Sequence, residues 1–158
     1  MGVNFAITDV VELGIQIEKN GKAFYTTVAL NSKNAGAKKL FEFLAAEEDR
    51  HIHTFERILK NVEETEPPAA QTEEYYEYLD ALAGEHVFTK KDSGEGVAKS
   101  IKTDKEAIEK AISFEKDSIV LFDGMKKVVP VKDHKVIEEL IAQEQMHLSK
   151  LLSIKKGF

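Results

Sequence analysis

Two stretches of this chain, LAAEEDRH at 44–51 and LIAQEQMH at 140–147, superpose at an offset of 96, and two others, IEKNGKAFY at 17–25 and FEKDSIVLF at 114–122, superpose at 97. Offsets this close are what a duplicated helical hairpin leaves after a small change in loop length. The duplication constrains the fold strongly, because whatever one half buries the other must bury about a pseudo-twofold axis. Each stretch lies in a long segment of helical periodicity and good helix formers, and the spacing predicts helices near 9–31, 35–61, 104–129 and 132–156. Asp9 with Glu12, and Thr103 with Glu106, have the spacing of capping boxes for the first and third. The short breaks NSKNAG and VVPVKD, the second holding Pro130, fold each pair back antiparallel.

Between the pairs, residues 62–102 form a 41-residue connection with EETEPPAA, a predicted short helix TEEYYEYLDALAG and a polar loop FTKKDSGEG. A bundle helix of about 20 residues is roughly 30 Å long, so this connection can run back along the bundle and start the third helix parallel to the second. The expected fold is all-α: a four-helix bundle of two antiparallel hairpins joined by a long crossover containing a short helix. At 158 residues, one domain over 1–158 is expected.

Charge and composition narrow the function. Acidic residues outnumber basic ones, giving a net charge of -6, and Lys and Arg are scattered rather than clustered, so no basic stripe exists to replace counterions on a nucleic acid. No run approaches the roughly 20 apolar residues of a membrane span, and the start MGVNFAITDVVELG lacks a basic segment followed by an apolar one. The cytoplasm is therefore the expected compartment. With no cysteine, disulfides, thiolate metal sites and iron–sulfur clusters are excluded, and any metal sits on oxygen and nitrogen.

The chemistry lies in where the glutamates fall. At 100° per residue, Glu18 is centred among Val11, Gly14, Ile15, Gly21, Tyr25 and Ala29, and Glu48 among Phe41, Leu44, Ala45, Ile52, Phe55 and Leu59. Glu115 is centred among Ile108, Ala111, Ile112, Ile119 and Phe122, and Glu144 among Ile137, Leu140, Ile141, Leu148 and Leu151. His51 and His147 each follow a glutamate by three residues and so project from the same stripe one turn on. Four ionised carboxylates in an apolar core would cost several kcal/mol each if left unpaired. Two divalent cations cancel their charge, and the two imidazoles add one neutral ligand per metal. One Glu from each of two helices and Glu-x-x-His from each of the other two is the general description of the di-iron or di-manganese bundle site. Oxygen-rich ligation without sulfur suits iron, with manganese possible, better than copper or zinc. Without metal, desolvation and mutual repulsion are expected to raise the pKa values of all four glutamates.

On the motifs IEKNGKAFY, AEEDRH, FEKDS and QEQMH, the chain resembles the rubrerythrin and ferritin-like di-iron carboxylate family, as a short member without a rubredoxin domain. The resemblance implies bridging roles for Glu48 and Glu144, terminal roles for Glu18 and Glu115, and one histidine on each of two iron ions. It also implies an oxidoreductase that reduces hydrogen peroxide or dioxygen with electrons from an external carrier protein, acting as a homodimer. The alternative is a ferroxidase of the iron-storage kind. Two positions depart from the rubrerythrin pattern in the third helix: Ser118 stands where a further ligand Glu is expected, and Phe122 is the repeat counterpart of Tyr25.

Other polar residues have plainer readings. Glu47 lies about 100° off the glutamate stripe, and its repeat partner is Gln143, so it is left out of the ligand set. His53, His86 and His134 have no counterpart and read as surface or interface histidines. Tyr25, two turns beyond Glu18, is either plain core or a hydrogen-bond donor to a ligand carboxylate. Leu13, Ile17 and Phe24 form a second apolar stripe on the first helix, to be covered by the crossover or by a partner subunit.

Overall fold

A computed structural model describes residues 7–64 and 71–158 of the chain; most of EETEPPAA therefore lies outside the described residues. Six α-helices follow in order: α1 (Ile7–Asn31), α2 (Ala35–Glu64), α3 (Glu73–Glu85), α4 (Ser93–Ser100), α5 (Asp104–Met125) and α6 (His134–Lys155), with a 3₁₀ turn at Val131–Asp133. There is no strand among the described residues. The long helices α1, α2, α5 and α6 make the bundle, and α3 and α4 belong to the crossover.

Local chemistry accounts for several of the ends. Thr103 Oγ1 accepts from the Glu106 amide at 3.1 Å, the capping contact its spacing predicts, and Glu106 Oε2 accepts from the Lys102 amide. Asn34 caps α2 by accepting from the Ala37 amide at 2.9 Å. At α1 the expected cap is not where the spacing puts it: the helix is already formed at Ile7, and Asp9 lies within its first turn. The helix expected to reach residue 129 stops at Met125. Val128 and Val129 turn inward to join the core instead, and Pro130 disfavours helical geometry at the residue before it.

Two contacts fix the direction of the hairpins. Asp104 Oδ2, at the start of α5, accepts from the amides of Lys33 and Asn34 just before α2, and Asn61 near the end of α2 donates to Asp133 Oδ1 just before α6. So α5 runs parallel to α2, and α6 antiparallel to it, as the length of the crossover allows.

The crossover covers the outer face of α1 and α5. Ile17 and Phe24 of the second stripe are buried, and Leu13 packs partly buried beside them, so this stripe is closed within the chain. Phe88 sits between Phe24 and Phe114, with ring centroids 5.6 and 4.4 Å away. Part of the expected polar loop is helix α4, a segment with two glycines and weak intrinsic propensity that tertiary contacts hold. Asn20, buried on α1, makes those contacts: its Nδ2 donates to the carbonyls of Phe88 (2.6 Å) and Lys90 (2.7 Å), and its Oδ1 accepts from the Gly94 amide (3.2 Å).

The helix approaches α1 so closely that a Cβ on Gly94 would lie 1.9 Å from the Asn20 carbonyl oxygen. Since backbone meets backbone there, no side-chain rotation relieves the clash. Gly94→Ala is expected to unseat α4 and cost about 3 kcal/mol or more, at the severe end for a single substitution. Urea unfolding measures it; a loss below 1 kcal/mol would mean that the approach is not tight.

Apolar packing divides into two clusters. One gathers Phe24, Tyr25, Phe41, Phe114 and Leu151 at the α1–α2 turn end, and the other gathers Val11, Phe55, Leu121, Phe122 and Leu140 at the opposite end. Between them lies a polar layer.

Candidate metal centre

That layer contains Glu18, Glu48, His51, Glu115, Glu144 and His147, none more than 3% exposed. Each helix of the bundle brings its glutamate to this level because the 3.6-residue period keeps the residue on the stripe that packs inward. Gly21 makes room for the cluster, since a Cβ there would press on the Glu48 carboxylate at 3.3 Å.

His51 Nδ1 lies 2.7 Å from Glu144 Oε1, 3.4 Å from Glu18 Oε2 and 3.9 Å from Glu48 Oε2. His147 Nδ1 lies 3.4 Å from Glu144 Oε2 and 3.8 Å from Glu115 Oε1. Close as they are, these atoms are not aligned as hydrogen bonds: Glu18 Oε2, Glu115 Oε2, both Glu144 oxygens and both Nδ1 atoms are buried without a hydrogen-bond partner. So many unsatisfied donors and acceptors at one place are costly in a native core and call for a missing partner.

The donor set matches a pair of cations. Glu18, Glu48, His51 and Glu144 each offer one ligand atom within 4.8 Å of the others, and so do Glu48, Glu115, Glu144 and His147. The two groups share Glu48 and Glu144. All six sequence-derived candidates are thus brought together, and hard oxygen donors with one imidazole per group fit iron or manganese.

Tyr25 is resolved by its contact. Its hydroxyl donates to Glu115 Oε1 at 2.7 Å, while Oε2 is buried without a hydrogen-bond partner. Phe122, its counterpart in the second half, has no hydroxyl with which to do the same for Glu18, so the pseudo-symmetry is broken at this level.

Without metal, the cluster balances its charge with protons. Burial and the negative charge of Glu144 push Glu18 up to about 8, and burial with Glu144 holds Glu115 well above the carboxylate range. Burial opposes a charge on His51, yet the Glu18 and Glu144 carboxylates push it up to about 11. Glu144 departs from the expectation that all four glutamates rise. Burial works against its charge, but the Glu115 carboxyl and the two imidazoles that crowd it hold it well below the usual range. Once Glu18 and Glu115 keep their protons, the carboxylate between the histidines becomes the anion they stabilise.

His86 also departs from its sequence reading. It is buried, not on the surface: its Nδ1 accepts from the Phe88 amide at 3.1 Å and its Nε2 meets Ser118 Oγ at 2.8 Å. Burial lowers its pKa to about 4, so it is neutral at ordinary pH. Its segment is short and has no periodicity, and no sequence signal placed it against Ser118, one turn beyond Glu115. The other two are nearer expectation: His53 is exposed, and His134, half-buried, pairs its Nε2 with the Val129 carbonyl at 3.1 Å.

A helical bundle enclosing two overlapping carboxylate–imidazole groups defines the class, a ferritin-like carboxylate protein with a candidate two-metal centre. The Rubrerythrin family model matches residues 9–155, and the chain belongs to that family. Among solved structures, it is similar to a chain from Thermotoga maritima assigned as a ferritin-like diiron-carboxylate protein, at 29% identity and a TM-score of 0.71, over 95% of this chain and 94% of that one. Comparison with curated proteins finds no significant match.

Proposed function

We propose that the six residues hold two iron ions and that the protein is an oxidoreductase reducing hydrogen peroxide or dioxygen with electrons from an external carrier protein. The observation that carries this reading is the sharing of Glu48 and Glu144 between the two four-residue groups, which is the arrangement two adjacent cations require. Membership of the rubrerythrin family and the diiron assignment of the Thermotoga maritima protein support iron.

When bound, a reduced iron pair supplies two electrons to the oxidant. The chain supplies the rest. Glu18 with His51 would hold one ion, Glu115 with His147 the other, and Glu48 and Glu144 would serve both. Tyr25, donating to Glu115 Oε1, would hold that carboxylate in place beside the ions. Burial of all six side chains excludes bulk water and favours an oxidant of a few atoms over a large organic substrate.

The test is stopped-flow absorption of the anaerobically loaded ferrous protein. Oxidation is expected to be faster with hydrogen peroxide than with dioxygen at equal concentration. Clearly faster reaction with dioxygen would favour ferroxidase and storage chemistry, and a solution mass of many subunits rather than the proposed homodimer would point the same way.

A further inference from the structure

Glu47 and Gln143 occupy matching positions in the repeat, each just before a shared glutamate, and differ in charge. Sequence periodicity turns both away from the metal stripe. In the folded chain each reaches the histidine of the opposite half. Gln143 Oε1 lies 2.7 Å from His51 Nε2, and Glu47 Oε2 lies 3.8 Å from His147 Nε2. Both imidazoles aim Nδ1 at the cluster, so Nε2 is the outer nitrogen of each, and what faces it tunes the electron density that Nδ1 can give a metal.

The two outer partners are not equivalent. Against His51 stands a neutral amide that accepts one hydrogen bond. Against His147 stands the Glu47 carboxylate, too distant for a hydrogen bond but near enough for its charge to act on the ring; it also lies within 4.8 Å of a His51 nitrogen, but there the Gln143 oxygen at 2.7 Å is the nearer partner of Nε2. The other oxygen of Glu47 pairs with Arg50 at 2.5 Å. That arginine is 70% exposed against 13% for Glu47, so solvent screens the cation more than the anion. Phe43 packs edge-on against His147, with centroids 6.1 Å apart.

We propose that the two metal positions are unequal, that the one served by Glu115 and His147 fills first, and that Glu47 is the positioning residue responsible. The inference rests on the two-metal reading above and adds an order to it. Outer-shell partners of metal-bound imidazoles typically change affinity by about 10–100-fold, so a separation of roughly tenfold or more between the two binding steps is expected.

The experiment is an anaerobic titration of the full chain with cobalt(II), followed by calorimetry and by the hyperfine-shifted, exchangeable imidazole N–H resonances. The wild type should bind two ions in separate steps. The first N–H resonance to appear should move in Glu47→Gln and stay in place in Gln143→Ala. Glu47→Gln removes charge at constant shape and should draw the two steps together, with the melting temperature of the metal-free protein little changed. Gln143→Glu should also narrow the separation, by strengthening the weaker position. Two ions binding with equal affinity to the wild type, or a separation that survives Glu47→Gln, would overturn the ordering and leave the two-metal reading standing. Binding of fewer than two ions by the wild type would overturn both.

Discussion

Glu48→Ala and Glu144→Ala are each expected to abolish tight binding of both metal ions, although each removes a single carboxylate. Every other candidate ligand belongs to one of the two four-residue groups, whereas these two belong to both. Removing either therefore strips a donor from both ions and leaves their mutual repulsion less screened. Glu18→Ala should behave differently: it takes a donor only from the group containing His51, so the other ion should remain. Metal-free Glu48→Ala should still fold, because it deletes a buried carboxylate from a crowded cluster, whereas metal-free Glu144→Ala loses the anion beside the two imidazoles and should melt lower. Calorimetric titration with ferrous ion under anaerobic conditions, with melting curves of the metal-free proteins as the control, separates the cases. Two tight ions retained by Glu48→Ala or Glu144→Ala would refute the shared role.

The second large effect is on stability against pH. In the metal-free protein Glu18 rises from 4.5 to about 8 and His51 from 6.5 to about 11, and Glu115 is also raised. All three bind protons more tightly folded than unfolded. Their contribution is therefore most favourable at low pH, and declines as pH climbs past 4.5 for the glutamates and past 6.5 for His51. Glu144 has the opposite sign, but its contribution is lost only as pH falls below the ordinary carboxylate range. Burial gives His86 a folded value of about 4, so it adds stability as pH rises toward 6.5; it does so with or without metal and cancels from a comparison of the two forms.

Bound cations replace the protons and remove the decline. Between pH 5.5 and 7.5 the Glu18 shift alone corresponds to about 2 kcal/mol. The melting-temperature gap between ferrous-loaded and chelated protein should thus widen by roughly 5–10 °C over that interval. Anaerobic calorimetry at the two pH values measures it. Equal melting of both forms at both pH values would mean that these groups are not a buried metal cluster.

The residues that carry these predictions were legible because helical periodicity reports which face of a segment is buried. Glu18, Glu48, Glu115 and Glu144 stood out as charges centred on apolar stripes, the duplicated spacing joined them into one cluster, and the 41-residue connection was long enough to set the hairpins side by side. All of that is information local to a helix, or comparison of one helix with another. Periodicity does not report which atom of a different element meets a given side chain. For this reason the hydroxyl of Tyr25 on Glu115, the burial of His86 against Ser118, the closure of the Ile17–Phe24 stripe by the crossover, and the crossed contacts of Glu47 and Gln143 with the opposite histidines were settled only by tertiary packing. Helix α4 belongs with them, since Asn20 and the close approach at Gly94, not its own propensity, make it a helix. The low pKa of Glu144 has the same origin: four glutamates on equivalent stripes are alike in sequence, and only the placement of the Glu115 carboxyl and the two imidazoles around one of them decides which keeps its charge.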